Sequence, residues 1–321
     1  HPERIPVSLL GDPLLSFSVR FLCVRTGKEQ DFFMTPENIE KELHLVNAQL
    51  LRFFSQREKD TPSLSFLRKI PGRIPGKLTE AHAGFLEEAF AQSLTLILDP
   101  EKGILDGMLI DREKLEEIFL TLDQEAEKTP GTEVLSRFSD EARRRAGRAF
   151  SAAALSGAGL GSLGIGSPEA AALCVLMLRE VFETAILYGV NIDHPWEKEL
   201  ALLTLSAAFS SGKEAGREER ELLSVLHGLE SGEIPEVARM RRIDEAASRL
   251  SKSLALQKLI QSVPMIGITG SLFNTAAMKR LTGLCSLVYR QRYLAGKLRA
   301  AGKTPRLQQK KGAINWNSFV K

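Results

Sequence analysis

The chain is poor in the side chains that most often carry chemistry. Among its 321 residues are three cysteines, five histidines, two tryptophans and three tyrosines. Cys23, Cys174 and Cys285 are odd in number and far apart, and two of them sit in apolar runs. They form neither a disulfide framework nor a zinc spacing, so buried thiols in a reducing compartment are expected. His1, His44, His82, His194 and His227 make no H-x-x-x-H or H-E-x-x-H pattern, and no Gly-x-Ser-x-Gly elbow occurs. These absences lower the expectation of an enzyme.

Neither sign of charge dominates. Lys plus Arg number 43 against 40 Asp plus Glu, a net charge of +3, which does not identify a nucleic-acid binder. Stacking aromatics do not interleave with the basic clusters, Tyr289 and Trp316 apart, so no nucleic-acid partner is expected. The opening residues lack a basic region followed by an apolar run and cleavage site, so no secretory leader is expected. No uninterrupted stretch reaches the roughly 20 apolar residues of a spanning helix. The nearest approach, 149–178, is rich in Ala, Gly and Ser and broken by Pro168 and Glu169.

Helical signals fill most of the rest. Thr35-Pro36-Glu37 combines a capping hydroxyl, a first-turn proline and a dipole-favoured acid, and Leu43, Val46, Leu50 and Phe54 follow at helical spacing. A helix over 36–56 is predicted. Residues 58–77 carry Pro62, Pro71, Gly72, Pro75 and Gly76 and read as a linker. Further helices are predicted at 79–98, from Asp111 through Leu122, from near Ser139, from Ser167-Pro168-Glu169 to about Tyr188, at 197–209, 218–229, 236–261 and 278–300, with 210–220 a loop. Val7–Leu10 and Phe17–Val24 are short apolar runs, strand-like or packed on the body. The expected fold is all-α: a compact multi-helix domain over 79–300 with glycine-rich apolar central helices, a short N-terminal extension over 1–78, and a basic tail over 301–321.

The order of features in the second half resembles the EcsC family. The residues that carry the likeness are Gly-Ile-Gly-Ser-Pro-Glu before Leu-Cys-Val-Leu-Met-Leu-Arg-Glu-Val within 164–181, then Ile-Leu-Tyr-Gly-Val-Asn at 186–191. Downstream, 260–275 looks like that family's proline-glycine turn into a small-residue helix, followed by the basic stretch through Arg290 and Arg292. Val190 stands where an acid usually follows the family's Tyr-Gly, with Asp193 nearby. The resemblance spans roughly 80–300 and implies membrane-linked roles, the family's name coming from a bacterial operon that encodes an ABC transporter. It supplies no catalytic residues to carry over.

Gly159, Gly161 and Gly164 satisfy G-x-G-x-x-G, but the preceding residues are Ala-rich and helical, where a dinucleotide site needs a strand. Gly157 and Gly161 lie four apart, as do Gly267 and Ser271, with Gly270 beside them, and this spacing lets helix backbones approach closely in protein or in lipid. Such glycines weaken a helix by about 1 kcal/mol each, so the segments must recover stability from burial. Arg179, Glu180 and Glu183 interrupt an otherwise apolar helix. Arg179 and Glu183 can pair at i,i+4 as part of an ion-paired seam; alternatively Glu180 and Glu183, with His194, could ligate a metal or act as acid and base.

Basic residues cluster at 68–77, 143–148, 239–242 and 279–311, beside the apolar runs. Arg143, Arg144, Arg145 and Arg148 precede the first run. Arg290 and Arg292 belong to a basic amphipathic helix after the second, whose charges suit an anionic membrane surface or a solvated face. The leading expectation is a non-enzymatic, cytoplasmic protein, peripheral to the inner face of the cell membrane, binding lipid or an integral membrane partner such as a transporter, with no cofactor. The alternatives are a metal-dependent hydrolase built on Glu180, Glu183 and His194, and a helical scaffold without a ligand.

Overall fold

The computed structural model describes residues 35–59, 76–104, 110–128, 133–153, 168–231, 239–261 and 270–303. Among them are nine α-helices and no strand. They are α1 (Pro36–Lys59), α2 (Gly76–Leu98), α3 (Arg112–Lys128), α4 (Glu133–Ala153), α5 (Pro168–Leu187), α6 (Pro195–Phe209), α7 (Lys213–Ser231), α8 (Arg239–Gln261) and α9 (Gly270–Ala300). The apolar runs Val7–Leu10 and Phe17–Val24 lie outside the described residues.

Local chemistry explains the helix ends. The Asn38 amide donates to Thr35 Oγ1 at 3.3 Å, and the Lys114 amide to Asp111 Oδ1 at 3.2 Å, two side-chain caps of the kind expected. Two starts differ from expectation. Helix α4 begins at Glu133, and the Ser139 hydroxyl meets the Tyr188 hydroxyl at 3.0 Å. Helix α7 begins at Lys213, so the expected loop over 210–220 shrinks to a tight turn. Gly212 makes that turn at φ 59°, and its amide donates to the Arg57 carbonyl at 3.0 Å.

Helices α5 and α9 are the hubs of the bundle. Helix α9 packs on α1, α4, α5, α6 and α7, while α5 packs on α2, α3, α4, α6 and α9. Their relative direction follows from side-chain contacts. Glu180 on α5 meets Thr282 on α9, and eight residues later Tyr188 lies 6.4 Å, ring to ring, from Tyr293. The two helices therefore run parallel. Pro168 precedes Glu180 by twelve residues and Gly270 precedes Thr282 by twelve, so both helices start about 18 Å before that contact. Helix α4 runs the other way, with Phe138 stacked 5.1 Å from Tyr188. The end of α4 and the starts of α5 and α9 consequently share one pole.

One hydrophobic core joins all of this. It contains Ile39, Leu43, Val46, Leu50 and Phe54 of α1 together with the buried faces of the later helices. The boundary expected near residue 78 thus does not separate α1 from the body; its apolar stripe is covered by α9 and α7. Helix α9 departs further from expectation. Between Ala277 and Arg299 only Lys279 is exposed, so this is an interior helix rather than one with a solvated basic face.

Candidate functional site

The polar groups of α5 form the first part of a buried seam. Arg179 Nε donates to Glu183 Oε1 at 2.7 Å, the i,i+4 pair anticipated from the spacing. Glu180 turns away from that pair toward α9. Burial pushes its carboxyl up to about 7; the Thr282 hydroxyl opposes the shift and the charge of Glu183 reinforces it. Its Oε1 has no protein partner. Cys285 lies close enough to Glu180 that burial and this carboxylate together push its thiol well up, and burial does the same to Cys174. Thiols so placed are inert as nucleophiles.

The Glu180, Glu183 and His194 trio does not assemble. Glu183 is held by Arg179, while His194 sits at the N-cap of α6, its ring stacked on Trp196 at 5.6 Å. Among the described residues no group of three His, Cys, Asp or Glu side chains is arranged to hold a metal ion.

The second part of the seam lies on α9, and it corrects the expectation for Arg290 and Arg292. Arg290 is 15% exposed and donates to Glu42 Oε2 of α1 at 2.8 Å. Arg292 is 10% exposed and donates to Glu197 Oε1 of α6, its guanidinium 4.8 Å from the Trp196 ring centre and 5.9 Å from that of Tyr289. One turn on, Lys297 bridges Asp123 at 2.8 Å and Glu127 at 2.7 Å, and the Tyr293 hydroxyl donates to Asp123 Oδ1 at 2.6 Å. These cations face acids inside the bundle and are mostly covered. Burial pushes the Glu197 carboxyl up, against the pull of Arg292.

A third network joins α7 to α8. Arg249 pairs with Glu214 at 2.6 Å and with the fully buried Glu218 at 3.4 Å, which also accepts from Ser206 Oγ at 2.9 Å. Arg241 and Arg242 each reach Glu221 at 2.9 Å. Two members of the basic cluster at 239–242 are therefore also paired with acids.

The cluster before the first apolar run differs. Arg143 pairs with Asp140 and Arg144 with Glu141, each at 2.8 Å, yet their side chains remain 66% and 62% exposed. Arg145 also reaches Glu141 and is mostly covered. Arg148 lies on α4, but its side chain is outside the described residues, as are Gly157, Gly159, Gly161, Gly164 and Gly267. Gly270 is the first residue of α9.

Sequence reasoning missed Glu42, Trp196, Glu197 and Tyr289 as members of the seam. Glu197 is a first-turn acid behind Pro195, and nothing local marks the arginine it meets. What the described geometry defines is an all-α bundle with an ion-paired interior. The chain belongs to the EcsC protein family, whose profile matches residues 39–294. That span begins inside α1, in agreement with the shared core. No curated protein and no solved structure matches the chain.

Proposed function

We propose that this is a non-enzymatic protein that docks peripherally on an anionic lipid surface at the inner face of the cell membrane. The observation that carries the reading is the parallel packing of α5 and α9. It brings the starts of α5 and α9, which follow the apolar run before Pro168 and the one before Gly270, to a single pole. Apolar runs that adjoin one pole in sequence suit insertion at an interface, and none of the described helices is long and apolar enough to cross a membrane. Arg143 and Arg144, on the exposed face of the helix leading to that pole, supply cations worth about 1 kcal/mol each near anionic headgroups.

Vesicle flotation of the full chain tests this. Binding to phosphatidylserine-containing vesicles should exceed binding to phosphatidylcholine vesicles at low salt, and the difference should shrink as salt screens it. Arg143→Ser with Arg144→Ser should weaken anionic-vesicle binding about tenfold or more. Leu160→Asp should weaken binding to both vesicle types. Absence of binding to any vesicle would refute the reading.

A further inference from the structure

The contact shell of Arg292 leaves several buried polar atoms without protein partners. Glu197 Oε1 holds the guanidinium, but its Oε2 is unpartnered. The Tyr289 hydroxyl, Trp196 Nε1 and His194 Nε2 are unpartnered too. Glu197 is 1% exposed and Tyr289 is 0% exposed. The other two fully buried tyrosines behave differently: Tyr188 meets Ser139 and Tyr293 donates to Asp123. Buried polar groups are ordinarily paired, so unpaired atoms on three residues that flank the Arg292 guanidinium require an account.

We propose that this shell is a binding site for one small neutral molecule that both donates and accepts hydrogen bonds, held between Glu197 Oε2 and the Tyr289 hydroxyl. Tyr289 and Arg292 are three apart on α9 and share a face, and Trp196 and Glu197 are adjacent at the start of α6. The charge balance selects the guest. Glu197 and Arg292 cancel, so an anion would meet the free carboxylate oxygen and a second cation would meet the guanidinium. Burial and the neighbouring Glu197 push the Tyr289 phenol well above its ordinary range, so it stays protonated and donates. The guest therefore gives a proton to Glu197 Oε2 and accepts one from Tyr289, as a water or an alcohol hydroxyl does. His194 and Trp196 are only half-buried.

The experiment is a crystal structure of the full chain, grown without glycerol or glycols, at a resolution that shows single waters. The expected result is a non-protein density peak within hydrogen-bond reach of both Glu197 Oε2 and Tyr289 Oη. A single-atom peak identifies water. A larger peak, matched by an added mass in native mass spectrometry that is lost in Glu197→Gln, identifies a hydroxyl-bearing compound. In solution, Tyr289→Phe should lower the folding equilibrium constant about tenfold, because it removes one side of a satisfied pair. An empty shell in the density, or a Tyr289→Phe chain as stable as the parent, would overturn the proposal.

Discussion

Replacing Gly189 with alanine separates two costs that usually arrive together, because the fold contains a matched control. Gly189 ends α5 at φ 76°, and Gly302 ends α9 at φ 76°. Both sit in the same C-terminal hydrogen-bond pattern. The Gly189 amide donates to Ile186 and the Val190 amide to Ala185, at 2.8 and 3.0 Å; the Gly302 amide donates to Arg299 and the Lys303 amide to Leu298, at 2.9 and 3.1 Å. Alanine in that conformation costs about 1 kcal/mol at either site once its smaller unfolded-chain entropy is allowed for. Only Gly189 has a neighbour in the way. A Cβ there would come within 2.8 Å of three ring carbons of Phe119, whereas none lies within 4 Å at Gly302. Phe119 is hemmed by Phe138 at 6.5 Å and Tyr293 at 6.4 Å, so its ring has little room to retreat. Overpacking of this kind adds about 1–3 kcal/mol. Urea unfolding followed by far-UV circular dichroism should give a loss of about 1 kcal/mol for Gly302→Ala and about 3 kcal/mol for Gly189→Ala. Phe119→Leu should cost less in the Gly189→Ala chain than in the parent. Equal losses at the two glycines would refute the steric argument.

Glu180→Gln should alter the pH dependence of stability. The folded carboxyl is pushed to about 7 against an ordinary 4.5, so the protonated folded state is favoured most at low pH. Its contribution is complete below about pH 4.5 and is lost as pH rises through 7, a change of about 3 kcal/mol. Urea unfolding of parent and variant between pH 5 and pH 8 should therefore show the variant gaining relative stability as pH rises; parallel curves would count against a buried neutral carboxyl. At the α6–α9 contact, Arg292→Ala leaves Glu197 buried without its cation and should cost about 3–5 kcal/mol. The double replacement Arg292→Met with Glu197→Leu should recover most of that in the same unfolding assay.

The helices were legible where their signals are local. Thr35 and Asp111 cap within three residues, and the Arg179–Glu183 pair spans one helical turn. The interior of the bundle was not, because its partners are remote in the chain. Glu42 and Arg290 lie 248 residues apart, and Glu197 and Arg292 lie 95 apart. An arginine on an apolar helix gives the same pattern whether it faces solvent, lipid or a buried carboxylate. The Ser139 start of α4 failed for a related reason. A serine before an acid resembles a cap, yet here its hydroxyl is claimed by a tyrosine 49 residues away.

The ion-paired interior bears on where a surface role can reside. Arg242, Arg249, Arg290, Arg292 and Lys297 each face acids, and an engaged, covered cation contributes little to long-range attraction of an anionic surface. Within the basic stripe read along α9, Arg290, Arg292 and Lys297 are engaged inside the bundle, while Lys279 is exposed. Buried pairs of this kind are weak sources of net stability, because desolvation cancels most of their attraction. Their effect is on register: Glu42 with Arg290, Glu197 with Arg292 and Asp123 with Lys297 each tie α9 to a different helix at a fixed height. A slip of one turn would leave several charges buried and unpaired at once. That penalty fixes the height of α9 against α1, α3 and α6. The cations that look suited to bind a membrane therefore serve first to place α9 within the bundle.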